Sequence, residues 1–343
     1  MENSKSLLIA FIVIVCILSK IEGQGLKLGF YDSVCPQAEK IILNFAKKHI
    51  SLVPEMAAPL LRMHFHDCFV RVSIYITAGL YYCFVRGCDG SVLLNSTNST
   101  AEKNATPNLT IRGFDLIDKA KTAVEKQCPG VVSCADIIAL MARDSILVAH
   151  GRPFWNVPTG RRDGRISNAS EALSNIPAPT SNFSQLNTSF ANKGLSVKDL
   201  VILSGAHTIG IAHCSSFNTR LYNFSGNGDS DVDPSMDKFY VANLKKNKCK
   251  NSTDNSTIVE MDPGSFKTFD LSYYRLVKKR RGLFQSDAAL LTDANAKAYI
   301  DQELANTKAT FFSQFAKSME KMGRVGVLTG SAGEIRKQCA FVN

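Results

Sequence analysis

The sequence predicts a mostly α-helical protein with two lobes and little β-structure. Most segments of the 343-residue chain carry apolar residues at helical spacing. A chain of this length is longer than one hydrophobic core usually organises, so we expect two lobes with a site between them. Only the stretch over residues 72–82 has the uncharged, β-branched and aromatic composition of a strand.

The chain begins with a predicted signal peptide. Lys5 precedes an unbroken apolar run from Leu7 to Leu18, which is too short to cross a bilayer at about 20 residues per span. We therefore expect a secretory signal over residues 1–23 and a folded domain over residues 24–343. No later segment is apolar enough to hold the product in a membrane, so we expect a protein that is exported from the cell.

The formal net charge of +10 favours an acidic partner. Nucleic acid lies in the wrong compartment, and residues 278–281 form the only compact Lys/Arg run. Acidic wall polysaccharide is the more natural partner, although a basic surface that is only solvated explains the charge equally well. Ten N-x-S/T sequons fit a secreted glycoprotein, but each sequon only permits a glycan.

Helical spacing and capping signals place the predicted helices. Pro36 opens a helix that runs to Ile50. Ser196, with Asp199 three residues later, forms a capping box for a helix that ends in His207. Further helices are predicted over residues 113–127, 134–149, 235–247, 269–279 and 295–321.

The helix over residues 58–68 carries the first candidate site. Arg62 and His66 are four residues apart, so they share one face of a helix. A charged guanidinium beside an imidazole that takes and returns a proton can split a polar bond. Taken alone, this stretch could be a surface helix with basic residues, or His66 a buried core histidine. A second histidine, His207, ends a second apolar run.

Together, Ala58–Cys68 and Asp199–Gly210 resemble the distal and proximal signatures of the class III secretory plant haem peroxidases. The resemblance covers residues 25–343 and is broken once, after Cys68. It implies that family's mostly α-helical, two-lobed fold, with haem b between a distal and a proximal lobe. It also implies that hydrogen peroxide is reduced while small aromatic donors, such as phenols, lose single electrons. The implied location is the apoplast or cell wall, and we expect a monomer.

The resemblance assigns roles on the distal side of the haem. His66 matches the base that moves a proton between the two peroxide oxygens, and Arg62 matches the group that stabilises the charge that develops. Phe65 would restrict access above the iron. Asn108 matches the residue that holds the base in the right tautomer, which argues against a glycan on its own sequon.

On the proximal side, His207 matches the iron ligand, and Asp287 matches the carboxylate that accepts from its second nitrogen. By itself, Asp287 could be a helix cap. Pro158 matches a residue that lines the donor site at the haem edge.

Two calcium sites are implied as well, each built from hard oxygen ligands. Without the resemblance, the second set could be an ordinary polar loop. The distal set is Asp67, Val70, Gly87, Asp89 and Ser91, with Glu102 linking this region to the ion. The proximal set is Thr208, Asp262, Ser265, Thr268 and Asp270.

Of the ten cysteines, Cys16 lies in the signal peptide, which leaves an odd number in the exported chain. Setting Cys83 aside leaves eight, and their pairing is open from sequence alone. The resemblance selects the pairs Cys35–Cys128, Cys68–Cys88, Cys134–Cys339 and Cys214–Cys249.

The segment Val72–Arg86 interrupts the family pattern. Its end, Cys83-Phe84-Val85-Arg86, repeats Cys68-Phe69-Val70-Arg71, and its removal restores an unbroken motif. We predict that the segment is retained intron sequence, absent from the competent enzyme. The rival interpretation is a genuine loop between Arg71 and Gly87. If translated, the segment is expected to weaken the distal calcium site, to let Cys83 capture Cys88, and to lower activity.

Two other functions compete with a peroxidase. The first is a weakly active, basic wall-binding glycoprotein, which would follow if the segment over residues 72–86 disables the distal site. The second is a cysteine hydrolase. It is a poor candidate because the cysteines are accounted for in pairs and no nucleophile motif surrounds any of them.

Overall fold

The fold is described from a computed structural model, which describes residues 25–70, 73–77, 80–84, 87–151 and 155–343. The predicted signal peptide lies outside the described residues. Within those ranges the chain forms 13 α-helices, several 3-10 turns and two small two-stranded sheets. The prediction of a mostly α-helical protein is confirmed. None of the described helices combines the length and the apolar character needed to cross a bilayer.

The chain divides into two compact units. The first comprises the chain up to Ile176 together with Met319–Asn343, and the second comprises Pro177–Ser318. Each unit is described below by itself.

The first unit is built around a helix that is buried along most of its length, Cys134–His150. The helix that carries Arg62 and His66 packs against it, and so does the first helix, which buries Ile42 and Ile50. A helix held between others has little freedom to shift, so side chains on it are well positioned. The helices of this unit are α1 (Ala38–Ile50), α2 (Ala57–Phe69), α3 (Phe114–Glu125), α4 (Cys134–His150) and α5 (Ala169–Asn175).

The segment after Cys68 forms a β-hairpin. Strand β1 (Ser73–Thr77) pairs antiparallel with β2 (Leu80–Phe84), with Ser73 opposite Phe84. The strand prediction for this segment is confirmed, although the structure forms two strands rather than one. Antiparallel partners lie about 5 Å apart, so a hairpin returns the chain close to where it left. Just beyond the hairpin, Cys88 N donates a hydrogen bond to the Asp67 carbonyl oxygen at 3.2 Å.

The second unit has two apolar clusters. One surrounds the Cys214–Cys249 disulfide and includes Phe217 and Leu283. The other is a stack of aromatic rings around Phe311. The elements of this unit are α6 (Phe183–Ala191), α7 (Val197–Ser204), β3 (Ile211–His213), α8 (Asn218–Leu221), α9 (Lys238–Asn247), β4 (Ile258–Glu260), α10 (Ser272–Lys278), α11 (Gln285–Ala289) and α12 (Ala294–Ala305). Strands β3 and β4 pair antiparallel. The last helix, α13 (Lys308–Met322), begins in this unit and ends in the first.

The end of α7 differs from the prediction. The capping box is confirmed, because Ser196 Oγ accepts from Asp199 N and Ser196 N donates to Asp199 Oδ2. The α-helix ends at Ser204, however, and His207 lies on the 3-10 turn Gly205–Thr208 that follows it. A Cβ atom at Gly205 would lie 2.5 Å from the Tyr274 hydroxyl oxygen, so glycine allows this turn to approach α10 closely.

The helix predicted over residues 295–321 is in fact two helices, α12 and α13. The break falls at Asn306 and Thr307, where Thr307 Oγ1 accepts a hydrogen bond from Thr310 N. Such a side-chain oxygen accepts from a backbone N–H that has no acceptor within the first turn of the helix. It therefore stabilises the start of a new helix. Four short helices, α5, α6, α8 and α11, were not predicted.

The structure contains four disulfides, and they are the pairs that the resemblance implies: Cys35–Cys128, Cys68–Cys88, Cys134–Cys339 and Cys214–Cys249. Since Cys88 is bonded to Cys68, the capture of Cys88 by Cys83 does not occur in this structure. Because Ser73 is paired with Phe84, the chain returns beside its starting point, and fifteen extra residues do not separate the two sulfur atoms.

Candidate active site

Arg62 and His66 lie on one face of α2 and are directly bonded. Arg62 Nε donates to His66 Nε2 at 3.1 Å. The other guanidinium nitrogens donate to the Pro107 carbonyl oxygen at 2.7 Å and to the Thr110 hydroxyl at 2.9 Å. Three acceptors on different groups hold the planar guanidinium in one orientation. The positive charge is thereby placed beside the imidazole.

Asn108 determines which imidazole nitrogen carries the proton. Asn108 Oδ1 lies 2.6 Å from His66 Nδ1, and Asn108 Nδ2 donates to the Glu102 carbonyl oxygen at 2.8 Å. Because the amide nitrogen is engaged by a carbonyl, the amide oxygen must face the imidazole and accept from Nδ1–H. Nε2 then keeps its lone pair, in agreement with the donation from Arg62. Asn108 is 1% exposed, so its sequon lies in the interior of the first unit.

The surroundings of His66 keep it neutral. Burial lowers its pKa to about 3, with a further contribution from the charge of Arg62, while the hydrogen bond that His66 Nδ1 donates to Asn108 acts in the opposite direction. Burial also lowers the pKa of Arg62 to about 10, which leaves its guanidinium charged at neutral pH. At neutral pH the pair therefore presents an unprotonated base next to a fixed positive charge.

Two other ring side chains of α2 lie close to this pair. The Phe65 ring stacks on Phe69 at 4.1 Å between centroids and meets the edge of His66 at 5.7 Å. His64 is buried, and its Nδ1 lies 3.7 Å from Cys68 Sγ. Since His64 faces the disulfide, it takes no part in the Arg62–His66 pair.

A pair of buried carboxylates follows α2. Asp67 accepts hydrogen bonds from Gly90 N (3.0 Å) and Val92 N (3.4 Å), and Asp89 accepts from Ser91 N (3.1 Å). Burial, and then the negative charge of Asp89, raise the pKa of Asp67 to about 7. Two buried carboxylates that repel each other fit a bound cation, because its charge removes the repulsion.

The other residues of the predicted distal calcium set are buried as well. Val70 directly follows α2, and Gly87 N donates to the Gly326 carbonyl oxygen at 2.9 Å. Glu102 is buried, and its N–H donates to Ser167 Oγ at 2.9 Å. Across the described residues no three His, Cys, Asp or Glu side chains group as a metal site. A calcium ion here would therefore depend on carbonyl and hydroxyl oxygens beside the two carboxylates.

The second unit contains a histidine–carboxylate pair. His207 Nδ1 lies 2.8 Å from Asp287 Oδ1. Asp287 also accepts from Tyr273 OH at 3.0 Å and from Phe284 N at 2.9 Å. Burial by itself would raise the pKa of Asp287, but the charge of His207 and these three hydrogen bonds outweigh it and hold the pKa below its ordinary value. The carboxylate therefore stays ionised and keeps a proton on His207 Nδ1.

Four oxygen atoms meet beside His207. Thr208 Oγ1 lies 3.4 Å from Asp262 Oδ2, from the Thr268 carbonyl oxygen and from Asp270 Oδ1. Burial, and then the charge of Asp270, raise the pKa of Asp262 to about 6. Ser265 belongs to the same loop, since its carbonyl oxygen accepts from Thr268 N at 2.7 Å. Hydroxyl, carbonyl and carboxylate oxygens thus lie close together, and these are the types of ligand that calcium takes.

Pro158, predicted at a donor site, is buried. Its carbonyl oxygen accepts from Arg161 Nη1 at 2.8 Å, and the same nitrogen donates to Asp136 Oδ1 at 2.7 Å. Pro158 thus lies beside an interior ion pair, and its role at a donor site stays a prediction.

Sequence reasoning missed Thr110 and Tyr273. Thr110 orients Arg62, and Tyr273 shares Asp287 with His207. Thr110 completes the sequon of Asn108, which predicts a glycan and not a contact with Arg62, and Tyr273 is one residue of a predicted helix. Their partners are 48 and 14 residues away. No signal in the chain could have pointed to either of them.

Comparisons with known proteins agree with this picture. The family model described as Peroxidase matches residues 42–306. The chain is 59% identical over 330 residues to Peroxidase 3 of Arabidopsis thaliana, covering 96% of this chain and 95% of that one. It is 58% identical over 338 residues to Peroxidase 39 of the same plant, covering 98% of each. It is 54% identical over 317 residues to Peroxidase 1 of Oryza sativa subsp. japonica, covering 92% of each.

Proposed function

The chain belongs to the class III family of plant peroxidases, and we propose that Arg62, His66 and His207 carry out the family's reaction in it. As a member of that family it is a haem enzyme that reduces hydrogen peroxide and oxidises donor molecules. When bound, the haem supplies the iron that takes oxidising power from peroxide and returns it to donors one electron at a time.

The residues of the second unit fit a haem iron. His207 Nδ1 is bonded to Asp287, and the His207 side chain is 36% exposed. Nε2 is then the free lone pair, which is the arrangement that metal-ligating histidines adopt. His207 is the proposed axial ligand, and Asp287 holds its tautomer and strengthens its electron donation.

In the first unit, His66 is the proposed acid–base group. Its Nε2 accepts a proton from one oxygen of hydrogen peroxide and returns it to the other oxygen as the bond between them breaks. Arg62 stabilises the negative charge that develops on the departing oxygen. Asn108 stabilises the imidazolium that exists between the two proton transfers, and Phe65 limits access to the pair.

The observation that carries this proposal is the hydrogen bond from His66 Nδ1 to Asn108 Oδ1. It places the lone pair on Nε2 of a histidine whose pKa is far below neutrality. A buried structural histidine needs only to satisfy its two nitrogens. Here, instead, one nitrogen is fixed as a donor and the other faces a charged guanidinium.

The test is His66→Ala in the haem-loaded protein. It should keep the haem but slow the reaction with hydrogen peroxide by about 10²–10⁴-fold, the usual cost of losing a positioned acid–base group. Stopped-flow absorbance of the haem band gives the second-order rate constant. His150→Ala, at the end of α4, is the matched control. A His66→Ala protein that reacts as fast as wild type would remove His66 from the mechanism.

Two calcium sites are part of the proposal. The carboxylate pair Asp67 and Asp89 supports the first site, with Val70, Gly87, Ser91 and the nearby Glu102 around it. The oxygens around Thr208 support the second site, to which Asp262, Ser265, Thr268 and Asp270 contribute. Because Thr208 directly follows His207, an ion at the second site would help to orient the axial ligand.

The donor, the location and the assembly remain proposals. Small aromatic molecules are the proposed donors. Pro158 stays a prediction as a donor contact, since its burial does not support it. Secretion to the apoplast or cell wall is proposed from the signal peptide over residues 1–23, and we expect the protein to act as a monomer.

An acidic wall polysaccharide is the proposed partner of a basic surface on the second unit, here called the α9 surface. It comprises the exposed side chains of Lys238, Phe239, Lys246 and residues 278–280. The Asp237 N–H donates to the Arg280 carbonyl oxygen at 2.9 Å, so the start of α9 lies beside that run of cations. Phe239 is 70% exposed among these charges, which suits the face of a sugar ring.

The weakly active wall-binding glycoprotein is not favoured. It required the segment over residues 72–86 to disrupt the distal site. The hairpin instead leaves Cys68 bonded to Cys88 and keeps Asp67 beside Asp89. Whether the segment belongs to the natural protein is a separate prediction, and the transcript decides it.

A further inference from the structure

Tyr273 is buried beside the proximal pair and shares its acceptor. The Tyr273 hydroxyl donates to Asp287 Oδ1 at 3.0 Å, and the same oxygen lies 2.8 Å from His207 Nδ1. The other oxygen, Oδ2, accepts from Phe284 N at 2.9 Å. Two donors therefore compete for the negative charge on a single carboxylate oxygen.

We propose that Tyr273 is a positioning residue that limits how strongly His207 donates electrons to the haem iron. The inference rests on the proposed role of His207 as the axial ligand. A strong acceptor pulls the Nδ1 proton away from the imidazole and makes its other nitrogen a better donor to a metal. A phenol hydroxyl on the same oxygen withdraws part of that negative charge. His207 then stays closer to a neutral imidazole.

The packing around Tyr273 suits this role. It lies on α10 with 2% of its surface exposed, and its ring meets the edge of the His207 ring at 5.7 Å. The next residue, Tyr274, donates to the Val201 carbonyl oxygen of α7 at 3.0 Å. Since α7 leads directly into the turn that holds His207, this bond fixes α10 against the element that presents the ligand.

The alternative is that Tyr273 only holds Asp287 in place. The two roles predict opposite shifts of the iron reduction potential when the phenol hydroxyl is removed. If the phenol withdraws charge, its removal makes Asp287 a stronger acceptor and favours ferric over ferrous iron. If the phenol only orients Asp287, its removal loosens the carboxylate and favours ferrous iron, as Asp287→Asn should.

The test is Tyr273→Phe in the haem-loaded protein, a change that keeps the ring and removes only the hydroxyl. We expect the preference for ferric over ferrous iron to rise roughly threefold to tenfold. For a one-electron couple at 59 mV per tenfold, this is a shift of about 30 to 60 mV to more negative potential. Spectroelectrochemical titration measures the potential. The iron–histidine stretching band of the ferrous protein, measured by resonance Raman spectroscopy, should move to higher frequency.

Tyr222→Phe is the matched control. It removes a buried phenol hydroxyl that donates to the Cys249 carbonyl oxygen at 2.7 Å, away from Asp287 and His207, and it should leave the potential unchanged. In an Asp287→Asn background, Tyr273→Phe should have little further effect, because the charge that the phenol withdraws is gone. An unchanged or more positive potential in Tyr273→Phe alone overturns the inference.

Failure of this inference and failure of the axial-ligand proposal are distinguishable. If the wild-type ferrous protein has no iron–histidine band, or if His207→Ala retains that band, His207 is not the ligand. If the band is present and depends on His207 but does not move in Tyr273→Phe, only the role of Tyr273 fails.

Discussion

Replacing Asn108 by leucine should impair the catalytic function of His66 while leaving the histidine itself in place. Leucine has a similar size and shape but neither an oxygen to accept from His66 Nδ1 nor a nitrogen to donate to the Glu102 carbonyl oxygen. The Nδ1 proton would then be buried without an acceptor. The imidazolium that forms when His66 takes a proton from peroxide would lose its only described partner at that nitrogen.

The expected loss follows from that hydrogen bond. A bond to a charged group is worth about 1.5–3 kcal/mol. At 1.36 kcal/mol per tenfold in rate, its removal should slow the reaction with peroxide by about 10- to 150-fold. This loss is smaller than that of His66→Ala, because the base is still present. A shift of the proton from Nδ1 to Nε2 in part of the molecules would add to it.

A second variant adds a negative charge beside His66. Asn108→Asp keeps an acceptor oxygen but adds a negative charge, so it should raise the pKa of His66 above the wild-type value of about 3. Protonated His66 cannot act as a base. As the solution is acidified, the rate should therefore begin to fall at a higher pH than in wild type. Above that pH, the rate of the variant should match that of wild type.

Stopped-flow absorbance of the haem-loaded proteins across the pH range of the folded state measures both effects. Asn104→Leu is the control, since it removes an exposed asparagine and a sequon from the same stretch without contacting His66. If Asn108→Leu reacts with peroxide as fast as wild type, the amide does not set the tautomer. If Asn108→Asp has the pH profile of wild type, the two side chains are not coupled.

The remaining predictions concern other parts of the molecule. Contrary to the expectation from the sequence, excising residues 72–86 should leave the Cys68–Cys88 disulfide and the calcium content unchanged, because Cys88 already reaches Cys68 with the segment present; a calcium content that differs between the two forms would show that the segment alters the site. A transcript that encodes the segment would defeat the retained-intron prediction. Lys279→Glu with Arg280→Glu should abolish salt-sensitive retention on a polyuronate matrix; unchanged retention would mean that the α9 surface is only solvated.

Local features of the fold were predictable from the sequence. The capping box of Ser196 and Asp199, and the strand character predicted for residues 72–82, depend on side chains a few residues apart. The same holds for Arg62 and His66, since helical geometry places residues four apart on one face. The failures lay at helix ends, where contacts that periodicity does not record decide the outcome. Thr307 starts α13 through a local side-chain bond, whereas α7 ends where Gly205 approaches Tyr274 of α10.

The candidate site depended on the family resemblance as much as on chemistry. No spacing rule pairs His66 with Asn108 or His207 with Asp287, which are 42 and 80 residues apart. The resemblance supplied both pairs, and the structure brings the atoms within hydrogen-bonding distance. For Pro158 it supplied a role at the donor site that stays a prediction.

The sequence by itself determined the helical fold class, the Arg62–His66 pair and the strand character of the interrupting segment, because each depends on residues that are close together in the chain. Only the tertiary structure decided that His207 and Tyr273 share one oxygen of Asp287 and that Thr110 orients Arg62. It also decided how the hairpin keeps Asp67 near Asp89. Contacts between distant segments depend on how helices pack around a core. That packing is a property of the whole chain, and no single stretch of it carries the information.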